Sequence, residues 1–378
     1  MLTVEEVRRA ADLPRYREQW QDLLARSEGA LLFQTCEWMT SWLEYYWRDR
    51  PLAFLFLRRE GRLVGLAPLL EDEEGRFSCA GSIVLPADGD FAIRGDLLSA
   101  GDGAANLDTV FRYLRATRGS VRLTLMHLEE ESPLLRGLPE VASRHRLRTF
   151  RREAWTSPRV RFHGDWEAYL RSRSSHLRTE LRRKSRKLEA AGAAACVAAT
   201  TPEQVERALD DMMAVDRHSY KQSAGSSLSF RPVEAGFLRA LACRCAGAGW
   251  TRLYFLYLDS KPVAYVYGFA FRNEYYAFHT GFDEAYRALS PGTVLFGRVL
   301  RDCCERGMDA FDFLGGQERW KSQITTERRS HANVCVFSQD QIRCQLCKAY
   351  QGVVKPFVKS RLPFVVGARR WLLRLASR

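Results

Sequence analysis

The sequence predicts an α/β chain in which one unit occurs twice. Two stretches carry that expectation, LAFLFLRREGRLVGLAPLL (Leu52 to Leu70) and LYFLYLDSKPVAYVYGFAF (Leu253 to Phe271). Each is a β-rich run, a short polar turn at Glu60-Gly61 or Asp259-Ser260, and a second β-rich run, which is a hairpin pattern. Each follows a helical segment and precedes a further strand-like stretch, so a repeated unit is the simplest account. Length agrees, since 378 residues are too many for one small domain and few for three.

Before the first hairpin, LLFQTCEWMTSWLEYYW (Leu31 to Trp47) sets Trp38, Trp42, Tyr45 and Tyr46 at helical spacing, an aromatic stripe that reads as core. Between the halves, SRSSHLRTELRRKSRKLEAAG repeats Leu177, Leu181 and Leu188 at helical spacing, with Arg178, Arg182, Arg183, Lys184, Arg186 and Lys187 on the other faces. Gly192 marks its expected end. This basic helix is either a solvated face or the lining of a groove for an anion. The expected division is a first unit over residues 1–160, a second over 161–340 and a basic extension over 341–378.

Hydrophobic content of 46% and aromatic content of 12% exclude a disordered chain. The first residues, MLTVEEVRRAADLPRY, mix acids and arginines where a secretory signal needs an apolar run, so a cytoplasmic protein is expected. Ten scattered cysteines fit that compartment as thiols, and the one CxxC, Cys344 to Cys347, lacks the second pair a zinc site needs. A net charge of +13 implies an anionic partner. From Gln341 to Arg378 there are nine bases and no acid, interleaved with Phe357, Leu362, Phe364, Trp371 and Leu372. That composition suits the inner face of an anionic membrane, although the same apolar residues could pack on the second unit.

The chemistry is expected in Glu274 to Lys321. It parses as a strand (Tyr275 to Gly281), a loop with Arg287 and Ser290-Pro291-Gly292, a helix from about Thr293 to Glu305, and a strand ending at Phe311-Asp312-Phe313. First-turn amides of such a helix lack partners within it and can hold a phosphate. A structural turn explains one glycine equally well.

Arg287-x-x-Ser290-x-Gly292 resembles the pyrophosphate loop of GNAT acyltransferases. The wider resemblance is to the CelD/BcsL group of GNAT-like acyltransferases, associated with polysaccharide biosynthesis, and through it to the FemABX transferases. It spans the Phe33 to Trp42 segment, the basic helix, the second hairpin, SPGTVL, and the ending DFLGGQERWK, which looks like the family's D-x-x-x-G-x-E-x-Y-K pattern.

The resemblance implies two tandem GNAT-like units. In the second, acyl-CoA, expected as acetyl-CoA, would lie between splayed strands with its pyrophosphate on Arg287, Ser290, Gly292 and Thr293. An amine is favoured over a hydroxyl as acceptor, on a small molecule or sugar precursor. Lys321 is the first candidate for stabilising charge, with Glu318, Asp312 and His279 as candidates for handling the proton. Each has a plain reading too: a solvated lysine, an Asp bonded to a neighbouring amide, a packed histidine. No metal and no covalent intermediate are expected. The alternatives are a FemABX-type transferase drawing an aminoacyl group from tRNA, and a non-catalytic scaffold in polysaccharide assembly.

Overall fold

The computed structural model describes residues 2–73, 75–80, 94–315 and 320–338. Glu318, the CxxC and the basic extension lie outside them. Both expected hairpins are present. β2 (Leu52–Arg59) and β3 (Arg62–Glu71) turn at Glu60-Gly61, and β9 (Thr251–Leu258) and β10 (Lys261–Phe271) turn at Asp259-Ser260. All four turn residues have positive φ, 51° and 79° in the first and 49° and 65° in the second, as tight two-residue turns demand.

Among the described residues the remaining strands are β1 (Leu2–Val7), β4 (Phe77–Cys79), β5 (Leu98–Ser99), β6 (Arg122–Glu129), β7 (Leu147–Arg161), β8 (Ala194–Ala199), β11 (Glu274–Phe282), β12 (Ala310–Asp312) and β13 (Arg328–Ser338). They join one sheet in the order β1-β2-β3-β4-β6-β13-β7-β12-β11-β10-β9-β8, with β5 beside β3.

The duplication is visible in that order. β1-β2-β3-β4 and β8-β9-β10-β11 are each antiparallel, and each run then meets one parallel partner, β6 beside β4 and β12 beside β11. Each parallel pair is bridged by a helix, Gly103–Arg118 in the first half and Pro291–Glu305 in the second. The chain is thus two GNAT-like α/β units in tandem. Beyond the parallel partner comes an antiparallel strand, β13 for the first half and the last turn of β7, Arg159–Arg161, for the second. Since β13 comes from the chain's far end and pairs with β6 and β7, the two halves are interleaved. No local signal in the sequence announces that return.

One core runs under both halves. Trp38, on the helix Cys36–Tyr46, sets its ring edge-on to Phe237, Phe269 and Phe278 of the second half at 5.8, 6.4 and 5.3 Å. The aromatic stripe is therefore core, as its spacing predicts. The basic helix spans Ser175–Glu189 and is capped by Ser174, whose Oγ accepts from the Leu177 amide at 3.2 Å. It ends three residues before Gly192. Rather than stopping the helix, Gly192 lets the second hairpin approach, since a Cβ there would lie 2.4 Å from the Asp259 carboxylate. Among the described residues no helix is long and apolar enough to cross a membrane.

Candidate functional site

β11 and β12 are in register only over Glu274–Tyr276 and Ala310–Asp312. Beyond that β11 runs on to Phe282, while the chain after Asp312 turns away at Leu314, a non-glycine residue with φ 55°. The Asp312 carboxylate holds the turn, its Oδ1 accepting from the Leu314 amide at 2.8 Å. The strands part into a wedge, and a cleft of about 650 Å³ opens there. Its lining brings together four of the expected residues, His279, Gly292, Thr293 and Lys321.

The open end of the wedge meets the start of the helix Pro291–Glu305. Ser290, its N-cap, adopts the left-handed conformation (φ 53°) and supplies no side-chain cap. The amides of Thr293 and Val294 return to the Ser290 carbonyl, whereas that of Gly292 has no partner among the described residues. The matching helix of the first half differs. There Asp102 caps the helix, accepting from the Ala105 amide at 2.9 Å, so a fixed carboxylate already occupies the place where an anion would sit. Of these two helix starts, only that of the second half is left without a side-chain cap.

Arg287 is brought near the loop but not into the cleft. It is exposed and pairs twice with Glu284, at 2.6 and 3.0 Å. Lys187 of the basic helix reaches the same loop, donating to the Ala288 carbonyl at 2.9 Å. Lys321 is buried, and its ammonium donates to the Gly315 carbonyl at 2.7 Å. Asp312 does not line the cleft. Its Oδ2 pairs with Arg94 and, at 2.8 Å, with Arg329. Burial would raise its pKa, but the two guanidiniums outweigh burial and hold it below the usual carboxylate range. A carboxylate so engaged is a fastening, not a ready proton acceptor.

His279 owes its place to a bulge. Tyr267 faces His279 across the ladder but Gly268 faces Ala277, so Phe278 is an extra residue. Its neighbours are residues to which no sequence motif pointed. The Tyr265 hydroxyl donates to Asp216 Oδ1 and sits 2.9 Å from it and 2.9 Å from His279 Nδ1. With the hydroxyl proton so committed, His279 must donate from Nδ1 and present a lone pair at Nε2. Lys221 Nζ lies 3.1 Å from that Nε2, 2.6 Å from the Thr280 carbonyl and 3.4 Å from Asp216. Gly281 leaves the room, since a Cβ there would come within 2.6 Å of the Tyr265 ring.

Burial pushes the Lys221 ammonium down to about 8, with Asp216 opposing only in part. Burial and the Lys221 charge also hold His279 well below its usual range. The site thus combines a wedge between strands, an uncapped helix start, and a buried amine whose pKa is brought down to about 8.

A family model described as an acetyltransferase (GNAT) domain matches residues 175–322, less than half the chain. Residues 175–322 have the GNAT acetyltransferase fold. Three solved structures extend the likeness of fold to nearly the whole chain. FemX aligns at 10% identity over 87% of this chain and 98% of its own, with a TM-score of 0.59. A conserved protein of unknown function from Bacteroides thetaiotaomicron aligns at 11% over 89% and 99%, with a TM-score of 0.54. The C-terminal DUF2156 domain of an Agrobacterium fabrum protein assigned as a lysylphosphatidylglycerol synthetase aligns at 13% over 90% and 96%, with a TM-score of 0.52. Among curated proteins none matches the chain.

Proposed function

We propose that the protein moves an acyl group from acyl-CoA to an amine or hydroxyl acceptor, with an amine favoured and a CelD/BcsL-type setting in polysaccharide or specialised-metabolite synthesis. The observation that carries this reading is the wedge whose open end meets the uncapped start of the helix Pro291–Glu305. The pyrophosphate would rest on Gly292 and Thr293. The pantetheine amides would bond the edge of β11, which has no strand partner past Tyr276 on the β12 side among the described residues. The acceptor nitrogen attacks the thioester carbonyl, the C–N bond forms, and neutral Lys221 takes the nitrogen's proton. The C–S bond then breaks, its electron pair stays on sulfur, and the thiolate leaves to be protonated as free CoA.

Thermal-shift measurements with acetyl-CoA, longer acyl-CoAs and charged tRNA test the donor. An acyl-CoA at 100 times its Kd stabilises the fold by about 2.7 kcal/mol. Gly292→Asp should remove that stabilisation by placing a negative charge at the helix start, while the melting temperature of the free protein changes little, because a Cβ at Gly292 meets only Phe282 at 3.4 Å. Undiminished acyl-CoA binding in this variant would move the donor elsewhere.

A tRNA-borne donor is the second reading, supported by the exposed Arg182 and Arg186 on the basic helix. It requires a shift with charged tRNA that declines steeply with salt. The proposal extends to an anionic membrane surface as partner of residues 341–378. Co-sedimentation with anionic but not neutral liposomes, lost when the chain ends near Gly352, is the expected result. Equal recovery with both liposomes would remove that partner.

A further inference from the structure

Five large apolar side chains are exposed among the described residues: Tyr220 (49%), Phe230 (55%), Val233 (50%), Trp320 (38%) and Val197 (48%). Their placement is uneven. Tyr220 and Trp320 line the cleft, and Phe230 and Val233 directly precede Arg231 and Glu234 in the chain, which also line it. Two of the five therefore line one opening and two more lie one residue from its lining, a clustering that single scattered surface residues would not show.

The opening has two walls. On the side of the helix Pro291–Glu305 stand Gly292, Thr293 and Phe296, the wall that the proposed donor fills. On the other, the helix Tyr220–Ser223, the turn Leu228–Phe230 and the start of the helix Pro232–Gly247 carry Tyr220, Phe230 and Val233. Lys221, next to Tyr220 in the chain, also lines the cleft, with its Nζ 3.1 Å from His279 Nε2. The charges on that wall offer a polar ligand little, because Arg231 and Glu234 pair with each other at 3.3 Å. Burial also raises the Glu234 pKa, which further weakens it as an anchor for a cation.

We infer that the acceptor is amphiphilic, with a nucleophilic head seated at Lys221 and an alkyl or aryl body laid over Tyr220, Phe230 and Val233. This rests on the acyl-transfer reading and narrows its acceptor class away from small, wholly polar amines and sugars. An apolar body leaves water as it covers the rim, and a sugar there would leave the rim's apolar surface without a match.

The test uses the full chain, the acyl-CoA that gives the largest thermal shift, and CoA thiol release as readout. Octylamine and phenethylamine are compared with ethanolamine and glucosamine. The expected result is a kcat/KM at least about tenfold higher for the two apolar amines, about 1.4 kcal/mol of selectivity. Phe230→Ser with Val233→Ser should erase most of that preference by raising KM for octylamine at nearly constant kcat, without changing the acyl-CoA thermal shift. Both positions are exposed, so the fold should tolerate them.

Equal or better use of the polar amines overturns the inference, as does an unchanged preference in the double variant. A dimer that the double variant dissociates would assign the rim to a second copy and overturn it too. Absence of any acyl-CoA shift rejects the donor reading itself, and the inference with it. An acyl-CoA shift with polar acceptors preferred rejects the inference alone.

Discussion

Lys221→Met should lower kcat/KM for acyl transfer about 10²- to 10⁴-fold, the range that general acid–base groups supply, while the melting temperature stays the same or rises. The two halves of that expectation have one cause. In the unfolded chain the lysine titrates near its ordinary 10.5, and in the fold burial brings it to about 8. Between those values the unfolded chain binds more protons, so stability rises with pH across that window. Below about pH 8 the fold bears a buried ammonium at a cost of about 3 kcal/mol, from the size of the shift.

Methionine removes that cost. Asp216 loses one partner but keeps the Ser227 hydroxyl and the Leu228 amide, each at 2.7 Å, and the Tyr265 hydroxyl at 2.9 Å. Wild-type kcat/KM should climb with pH to a plateau above about 8 as neutral Lys221 forms, and the Met variant should lack that limb. Lys221→Arg separates charge from proton transfer, since guanidinium stays protonated. If the Arg variant kept wild-type turnover, Lys221 would not be the base.

Lys221 also shows where sequence reasoning stops. The hairpins, the basic helix and the helix after Ser290 are set by periodicity and turn residues within a few positions of one another, and all were legible. His279, Gly292, Thr293 and Lys321 were legible through local patterns and family likeness, and they line one cleft. Lys221 and Asp216 meet His279 only because Tyr220–Ser223 folds back onto β10 and β11, a closure across 58 residues that leaves no spacing to read. The same holds for β13, whose partners β6 and β7 lie some two hundred residues earlier. Asp312 was legible as a strand-end acid but not as half of an ion pair, because Arg94 lies 218 positions away.

That ion pair sets the second large effect: Arg94→Met should destabilise the fold by about 3–5 kcal/mol, as removing one partner of a buried pair does. Arg94 is wholly buried, pairing with Asp312 and, at 2.7 Å, with Glu129 of β6. Arg329 of β13 pairs with Asp312 at 2.8 Å and with Glu274 of β11 at 3.1 Å, and Arg159 of β7 pairs with Glu274 at 3.0 Å. Three guanidiniums thus meet three carboxylates where the two halves join, and each charge is tolerated only because its neighbours are present. Without Arg94, Asp312 loses a cation in a place water does not reach, and the partly exposed Glu129 loses one at its edge. Asp312, held below its usual range in the fold, contributes stability above about pH 4 that fades as the pH falls through its folded value. Chemical denaturation of Arg94→Met, Asp312→Asn and the double variant measures the fastening. The double variant should cost less than the sum of the singles, because each residue's burial is costly chiefly without the other. Additive losses would show the two to be independent. Asp312→Asn should also leave the pH dependence of kcat/KM in place while lowering stability; a lost limb at unchanged stability would instead return Asp312 to the proton-transfer step.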